Sequence, residues 1–110
     1  MKPEIVFAAY RPKKGKEKEL EALVSKHTPT LLDLELVTDR KPIVCRAKDG
    51  TVIEVFEWRS MDAARKAHEL PAVAAIWEAM AVVADFAKLD SLDESHGEFP
   101  HFTPLDVRLA

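Results

Sequence analysis

The stretch PIVCRAKDGTVIEVFEW, residues 42–58, decides the fold. Two apolar runs, residues 42–47 and 51–58, flank the pair Asp49-Gly50, and an Asp-Gly pair in this setting is a strong signal for a β-hairpin. In the second run, one face carries Val52, Glu54, Phe56 and Trp58, and the other carries Ile53, Val55 and Glu57. Each face is apolar except for one glutamate, so both sides of this strand are expected to be covered.

The residues before the hairpin predict a strand and a helix. The strand covers residues 4–11, which are again apolar on both faces, and the helix covers residues 16–27. The buried stripe of that helix is Leu20, Leu23, Val24 and His27. Thr28 and Pro29 predict an interruption, with Pro29 at the first position of a second short helix that ends near Leu34.

The residues after the hairpin predict two helical pieces and a last strand. Ser60 is suited to cap a helix over residues 61–70, and Pro71 suits the first turn of the next helix. From Val83 onward the pattern favours a fourth strand reaching Leu89. A helix that continues through Phe86 is the competing interpretation, since alanine is a strong helix former.

This order predicts an α+β fold of the split βαββαβ, or ferredoxin-like, kind over residues 1–90. Its four-stranded antiparallel sheet would carry helices on one face only. The other face would be exposed although it is apolar, which predicts a homodimer. Residues 91–110 form a tail that is too apolar for a free linker. We expect it to pack on the domain or on the partner subunit through Phe99, Phe102, Leu105, Val107 and Leu109.

Composition narrows the classes of partner. The formal net charge of −3 argues against a nucleic-acid partner, which usually demands a basic face. No apolar window is long enough for a membrane span or a signal peptide, so neither a membrane partner nor export is expected, and a cytoplasmic location is predicted. The single cysteine, Cys45, excludes an internal disulfide.

Three segments of the chain resemble the dimeric α/β-barrel superfamily. They are Tyr10-Arg11-Pro12 with Gly15-Lys16, the stretch TVIEVFEWRS at 51–60, and His68-Glu69-Leu70-Pro71 followed by Trp77. The likeness is greatest to proteins similar to the antibiotic-biosynthesis monooxygenases and covers residues 4 to about 90. It implies a dimer whose two sheets face each other, with a pocket between sheet and helices in each subunit.

The haem-degrading members of that superfamily carry an Asn, a Trp and a haem-ligating His. The corresponding positions here fall at Ala8 or Ala9, at Ala67 or His68, and near Trp77, so the triad is absent. No Gly-rich phosphate loop and no compact metal motif is present, and the tail histidines His96 and His101 match no ligand spacing. No cofactor and no metal are therefore predicted.

Two histidines are the candidate catalytic residues. His27 lies on the apolar stripe of the first helix and is either a general base or a buried histidine that donates to a nearby carbonyl. His68 stands just before the break at Pro71 and is either a pocket-facing acid or base, or a side chain that satisfies a free carbonyl of the helix end.

Three further residues are candidates for substrate binding. The sequence leaves open whether Glu54 or Glu57 faces the pocket, and Glu54 is taken as the polar partner, with Arg46 able to neutralise one of the two. Tyr10 and Trp77 would supply aromatic wall, or serve only in core packing.

Two functions stay open on this reading. One is a pocket protein for a small molecule that works as a cofactor-independent, monooxygenase-like enzyme. The other is a non-catalytic ligand-binding or assembly dimer. The sequence identifies neither the substrate nor the reaction.

Overall fold

A computed structural model of the chain describes residues 2–107. Its five strands are β1 (Glu4–Pro12), β2 (Ile43–Arg46), β3 (Val52–Trp58), β4 (Ala84–Ala87) and β5 (Thr103–Pro104). Its three α-helices are α1 (Glu17–Asp33), α2 (Met61–Ala67) and α3 (Pro71–Val83). Two short 3₁₀ helices, Leu89–Ser91 and Asp93–His96, lie between β4 and β5.

The strands form one antiparallel sheet in the order β4-β1-β3-β2-β5. The α+β class is thus confirmed, but the four-stranded βαββαβ arrangement is not. A fifth strand is added because Thr103 and Pro104 of the tail pair with Arg46 and Cys45 at the free edge of β2. The two helical pieces predicted after β3 are confirmed, since Pro71 begins α3 separately from α2.

Local signals set the hairpin and the helix starts as predicted. Strands β2 and β3 pair around the turn at Gly50, whose φ of 94° is readily adopted only by glycine. The Ser60 hydroxyl accepts a hydrogen bond from the Ala63 amide at 3.1 Å and caps α2. The predicted last strand is confirmed as β4, but it covers only Ala84–Ala87, because Val83 still belongs to α3 and Leu89 begins a 3₁₀ helix.

The predicted break at Thr28-Pro29 is wrong. Helix α1 runs through Pro29 and ends only where Glu35 adopts a φ of 59°. The amide of Leu36 then bonds to the carbonyl of Leu31 at 2.9 Å, which closes the helix end. Because Leu31 is fully buried on the same stripe as Leu20 and Val24, packing against the sheet outweighs the hydrogen bond that proline removes.

The two faces of the sheet are covered differently. Helices α1 and α3 cover the inner face, where the side chains of Val52, Phe56 and Trp58 are buried. On the outer face, Leu92 packs on Ala9, Ala47 and Ile53. The rest of the outer face carries exposed apolar side chains, namely Ile5, Phe7 and Ile43.

The tail residues differ in what they contact. Phe102 packs beside the Leu92 cluster, and Leu105 and Val107 pack beside the cluster of Tyr10 and Val52. Phe99 is 78% exposed and is not an anchor to the domain. Leu109 lies outside the described residues. Within residues 2–107, no helix combines the length and the apolar character needed to cross a membrane.

Leu92 should be the main anchor of the tail. Its side chain is 1% exposed, so Leu92→Ala leaves a cavity and is expected to lower the free energy of unfolding by about 2–5 kcal/mol. Urea denaturation followed by circular dichroism measures this. Leu89→Ala is the matched control: Leu89 is 42% exposed, and its truncation should cost about 0.5 kcal/mol or less. Equal losses for the two variants would contradict the assignment.

Candidate functional site

A buried polar network crosses the interior between the sheet and the helices. Its members are Tyr10 on β1, His27 on α1, Glu54 on β3 and Trp77 on α3. Strand register brings Tyr10 and Glu54 together. Glu54 lies opposite Ala8, and Tyr10 is two residues further along β1 on the same face, opposite Val52. Helical spacing directs His27 to the same face, since His27 shares the stripe of Leu20, Val24 and Leu31.

Glu54 is the centre of this network. Its carboxylate is fully buried, and Oε1 accepts a hydrogen bond of 2.7 Å from the Tyr10 hydroxyl. The same oxygen lies 2.8 Å from Nδ1 of His27. Two donors converging on one oxygen suit an ionised carboxylate, which only accepts hydrogen bonds. Its other oxygen, Oε2, has no hydrogen-bond partner within residues 2–107.

The contact of Trp77 fixes the protonation of His27. The indole Nε1–H donates to Nε2 of His27 at 2.8 Å, and an indole nitrogen can only donate. Nε2 therefore carries no proton in this arrangement. The imidazole is the neutral Nδ1–H tautomer, and that hydrogen points to Glu54. With His27 neutral, the negative charge of Glu54 has no cationic partner among residues 2–107.

The network also affects the ionisation of the Tyr10 hydroxyl. Burial, the negative charge of Glu54 and the hydrogen bond to Glu54 together raise the pKa of its hydroxyl well above the ordinary value of 10.0. The phenol therefore stays protonated near neutral pH and acts as a hydrogen-bond donor.

The network lies at the wall of a cavity of about 310 Å³. Its lining is Val6, Ala8, Tyr10, His27, Phe56, Trp58, His68, Trp77 and Phe86. Such a volume is at the low end for small-molecule sites, and the apolar, aromatic wall with few polar groups is typical of them. Phe86 and His68 are exposed, so they mark the side where the cavity meets solvent.

A second cavity of about 240 Å³ lies between the end of α1 and the loop before β2. Asp39 and Glu57 supply its carboxylates, and Glu57 is already engaged, because it accepts a hydrogen bond from Thr38 at 2.8 Å and pairs with Arg40 at 3.2 Å. None of the five predicted site residues lines it. The 310 Å³ cavity is therefore the better candidate.

The structure brings together the five residues singled out from the sequence. Four form the network, and His68 lines the same cavity with its ring centroid 4.8 Å from that of Trp77. Three details differ from expectation. The partner of His27 is a carboxylate rather than a carbonyl. The ring of His68 makes no hydrogen bond within the described chain. Arg46 lies 4.0 Å from Glu21 and pairs with neither Glu54 nor Glu57.

Phe56, Phe86, Val6 and Ala8 also line the cavity and were not singled out beforehand. The alternation of β1 and β3 could have indicated three of them, since Val6, Ala8 and Phe56 share a face with Tyr10 and Glu54. Phe86 lacked any signal of this kind, because its position depends on the pairing of β4 with β1.

Comparison of the chain with protein-family models, with curated proteins and with solved structures gave no match. Among the described residues, no group of three or more His, Cys, Asp or Glu side chains is arranged to hold a metal ion. The cavity and its network are therefore the features that indicate a function.

Tyr10 is the only tyrosine of the chain, so an alkaline absorbance titration reports on it alone. The native protein should ionise well above 10.0, and the urea-denatured chain near 10.0. Because the native pKa is raised, stability is full below pH 10.0 and should fall as the pH rises above it.

The matched variant for this titration is Glu54→Gln, which keeps the size of the side chain and removes its charge. It should bring the native midpoint part of the way back toward 10.0, since burial remains. A native midpoint at the ordinary value would show that Tyr10 is not held against the carboxylate.

Proposed function

We propose that the chain is an enzyme that binds a small molecule in the 310 Å³ cavity and removes a proton from it with His27. One observation carries the proposal: His27 is buried at the cavity wall with its Nε2 unprotonated and its Nδ1–H held by Glu54. A neutral imidazole whose far nitrogen is fixed by a carboxylate is suited to general-base catalysis.

Glu54 would serve His27 in two ways. It keeps the proton on Nδ1, so that Nε2 is the basic atom. When Nε2 takes up a proton, the nearby carboxylate stabilises the imidazolium that forms, because opposite charges at this distance favour the charged form. Tyr10 holds the carboxylate in place through its hydrogen bond of 2.7 Å.

Trp77 must yield its position when substrate binds. Its indole N–H occupies Nε2, which is the atom that the acidic proton of a substrate would approach. Once displaced, the same N–H is free to donate to negative charge that develops on the substrate. Trp77 would thus block Nε2 of His27 when no substrate is bound and stabilise the substrate anion when one is bound.

The resemblance to monooxygenase-like proteins supports a reaction without metal or flavin. In that chemistry an electron-rich substrate does most of the work, and the protein positions it and removes a proton. We extend the proposal to the architecture of that superfamily, a ferredoxin-like subunit in a dimeric α/β barrel. The order β4-β1-β3-β2 of the four strands other than β5 supports this part of the proposal.

The outer face of the sheet supports a homodimer. Ile5, Phe7 and Ile43 are between 46% and 62% exposed there, and Val55 lies between Phe7 and Ile43 in the sheet register. Exposed apolar patches on soluble domains commonly mark association surfaces, and two-fold pairing is the commonest way to cover one.

A non-catalytic ligand-binding protein is the second candidate. The observation that favours it is that both ring nitrogens of His27 are already engaged by side chains, Nδ1 by Glu54 and Nε2 by Trp77. If Trp77 does not yield, the cavity can bind a ligand but the base stays capped.

The base is tested by proton exchange. Electron-rich phenols such as resorcinol are first screened for binding by ligand-observed NMR, and their ring C–H exchange is then followed in deuterated buffer. The protein should accelerate exchange of a bound compound, and His27→Gln should slow it by about 10²–10⁴-fold. His101→Gln, on the exposed tail, is the control and should leave the rate unchanged. Binding with equal exchange rates in all three proteins would refute the base and favour the second candidate.

The dimer is tested by analytical ultracentrifugation. Phe7→Glu should raise the dimer Kd roughly 100-fold or more, since desolvating a carboxylate costs several kcal/mol. Val82→Glu makes the same type of change at a side chain 69% exposed on α3, outside the patch, and should leave the dimer intact. A wild-type monomer at high concentration would overturn the homodimer.

A further inference from the structure

The cavity described above has an unbalanced charge. Of its lining residues within 2–107, none is a lysine or arginine, and the polar groups are Tyr10, His27, His68 and Trp77. Directly behind the wall lies the carboxylate of Glu54, reached through its hydrogen bonds to Tyr10 and His27. Because Trp77 donates to Nε2, His27 is neutral and does not cancel that charge.

Aromatic rings make up much of the wall itself. Five aromatic side chains line the cavity, namely Tyr10, Phe56, Trp58, Trp77 and Phe86. Four of them form two edge-to-face pairs, with ring centroids 5.8 Å apart for Tyr10 and Phe86 and 5.1 Å apart for Phe56 and Trp58. The faces of such rings carry negative partial charge and attract cations.

We infer that the ligand of this cavity is a small organic cation, an alkylammonium or quaternary ammonium compound. The inference rests on the proposed pocket and names the class of molecule that it binds. Its positive charge would lie among the aromatic rings, and the buried carboxylate of Glu54, which lies behind Tyr10 and His27, would attract it without direct contact.

Other charge classes fit less well. An anion would meet the negative charge of Glu54, and the described part of the chain places no lysine or arginine side chain in the lining to pair with it. A metal cation lacks a ligand set, since no three metal-binding side chains come together in the described residues. A weakly hydrated organic cation needs no such ligands. A primary or secondary ammonium also carries N–H groups, which can take the place of the Trp77 indole at Nε2 of His27.

The test compares three molecules of nearly equal shape by isothermal titration calorimetry. Choline is the cation, 3,3-dimethylbutan-1-ol replaces its nitrogen with carbon, and 3,3-dimethylbutanoate is the anion. Choline should bind at least tenfold tighter than the alcohol, and the carboxylate should not bind detectably.

Two variants test whether the preference for choline arises in this cavity. Glu54→Gln should weaken the binding of choline by about tenfold and change the affinity for the alcohol by less than twofold. Circular dichroism checks that the variant is folded. Phe86→Leu is the second variant, since Phe86 is 57% exposed and its truncation spares the buried core. It should weaken the binding of choline several-fold, because one ring face is lost, and should change the affinity for the alcohol less.

The outcomes separate the two proposals. Equal affinities for choline and the alcohol, both lost in His27→Gln, would overturn the proposal of a cationic ligand but not the proposal that the cavity binds a small molecule. Tighter binding of the carboxylate would also overturn the cation. Binding of none of the three would count against the pocket itself, while a choline preference unchanged in both Glu54→Gln and Phe86→Leu would show that the cation binds elsewhere.

Discussion

The buried carboxylate of Glu54 connects the sheet to helix α1 and, through His27, to helix α3. Its Oε1 receives Tyr10 from β1 and His27 from α1, and His27 in turn receives Trp77 from α3. An ionised carboxylate without such partners would cost several kcal/mol in this environment. The two strands and the two helices therefore have to keep one relative arrangement for the network to exist.

Stability alone does not account for this arrangement. Apolar side chains of similar volume in place of a buried polar network are often neutral or even stabilising. The network also leaves Glu54 Oε2 without a partner in the described chain, which a core selected only for packing would avoid. Its position at an aromatic cavity is the reason to assign it a role in binding and proton transfer.

The register of β1 on β3 decides which glutamate enters the interior. Ala8 lies opposite Glu54, so Glu54 faces the helices and Glu57 faces the other way, toward Arg40 and Thr38. A slip of one residue would exchange the two faces. It would also exchange the aromatic wall of the cavity for the aliphatic outer face, where Leu92 and the exposed apolar patch now lie.

The sequence by itself determined the features that depend on neighbouring residues. Asp49-Gly50 specified the hairpin, Ser60 the start of α2, and Pro71 the start of α3, because turn and capping chemistry acts within a few residues. The alternation along β1 and β3 likewise specified the strands, and residue type with spacing identified the candidate site residues.

The tertiary structure alone decided the contacts between distant residues. Pro29 stays helical because Leu31 is buried against the sheet, and the tail adds β5 because the edge of β2 is free there. The links of Glu54 to Tyr10 and to His27, and of Trp77 to His27, span 44, 27 and 50 residues of chain. Periodicity predicts which face a side chain occupies, but only packing brings two faces to within hydrogen-bonding distance, and so the tautomer of His27 and the uncompensated charge of Glu54 could be derived only from the folded chain.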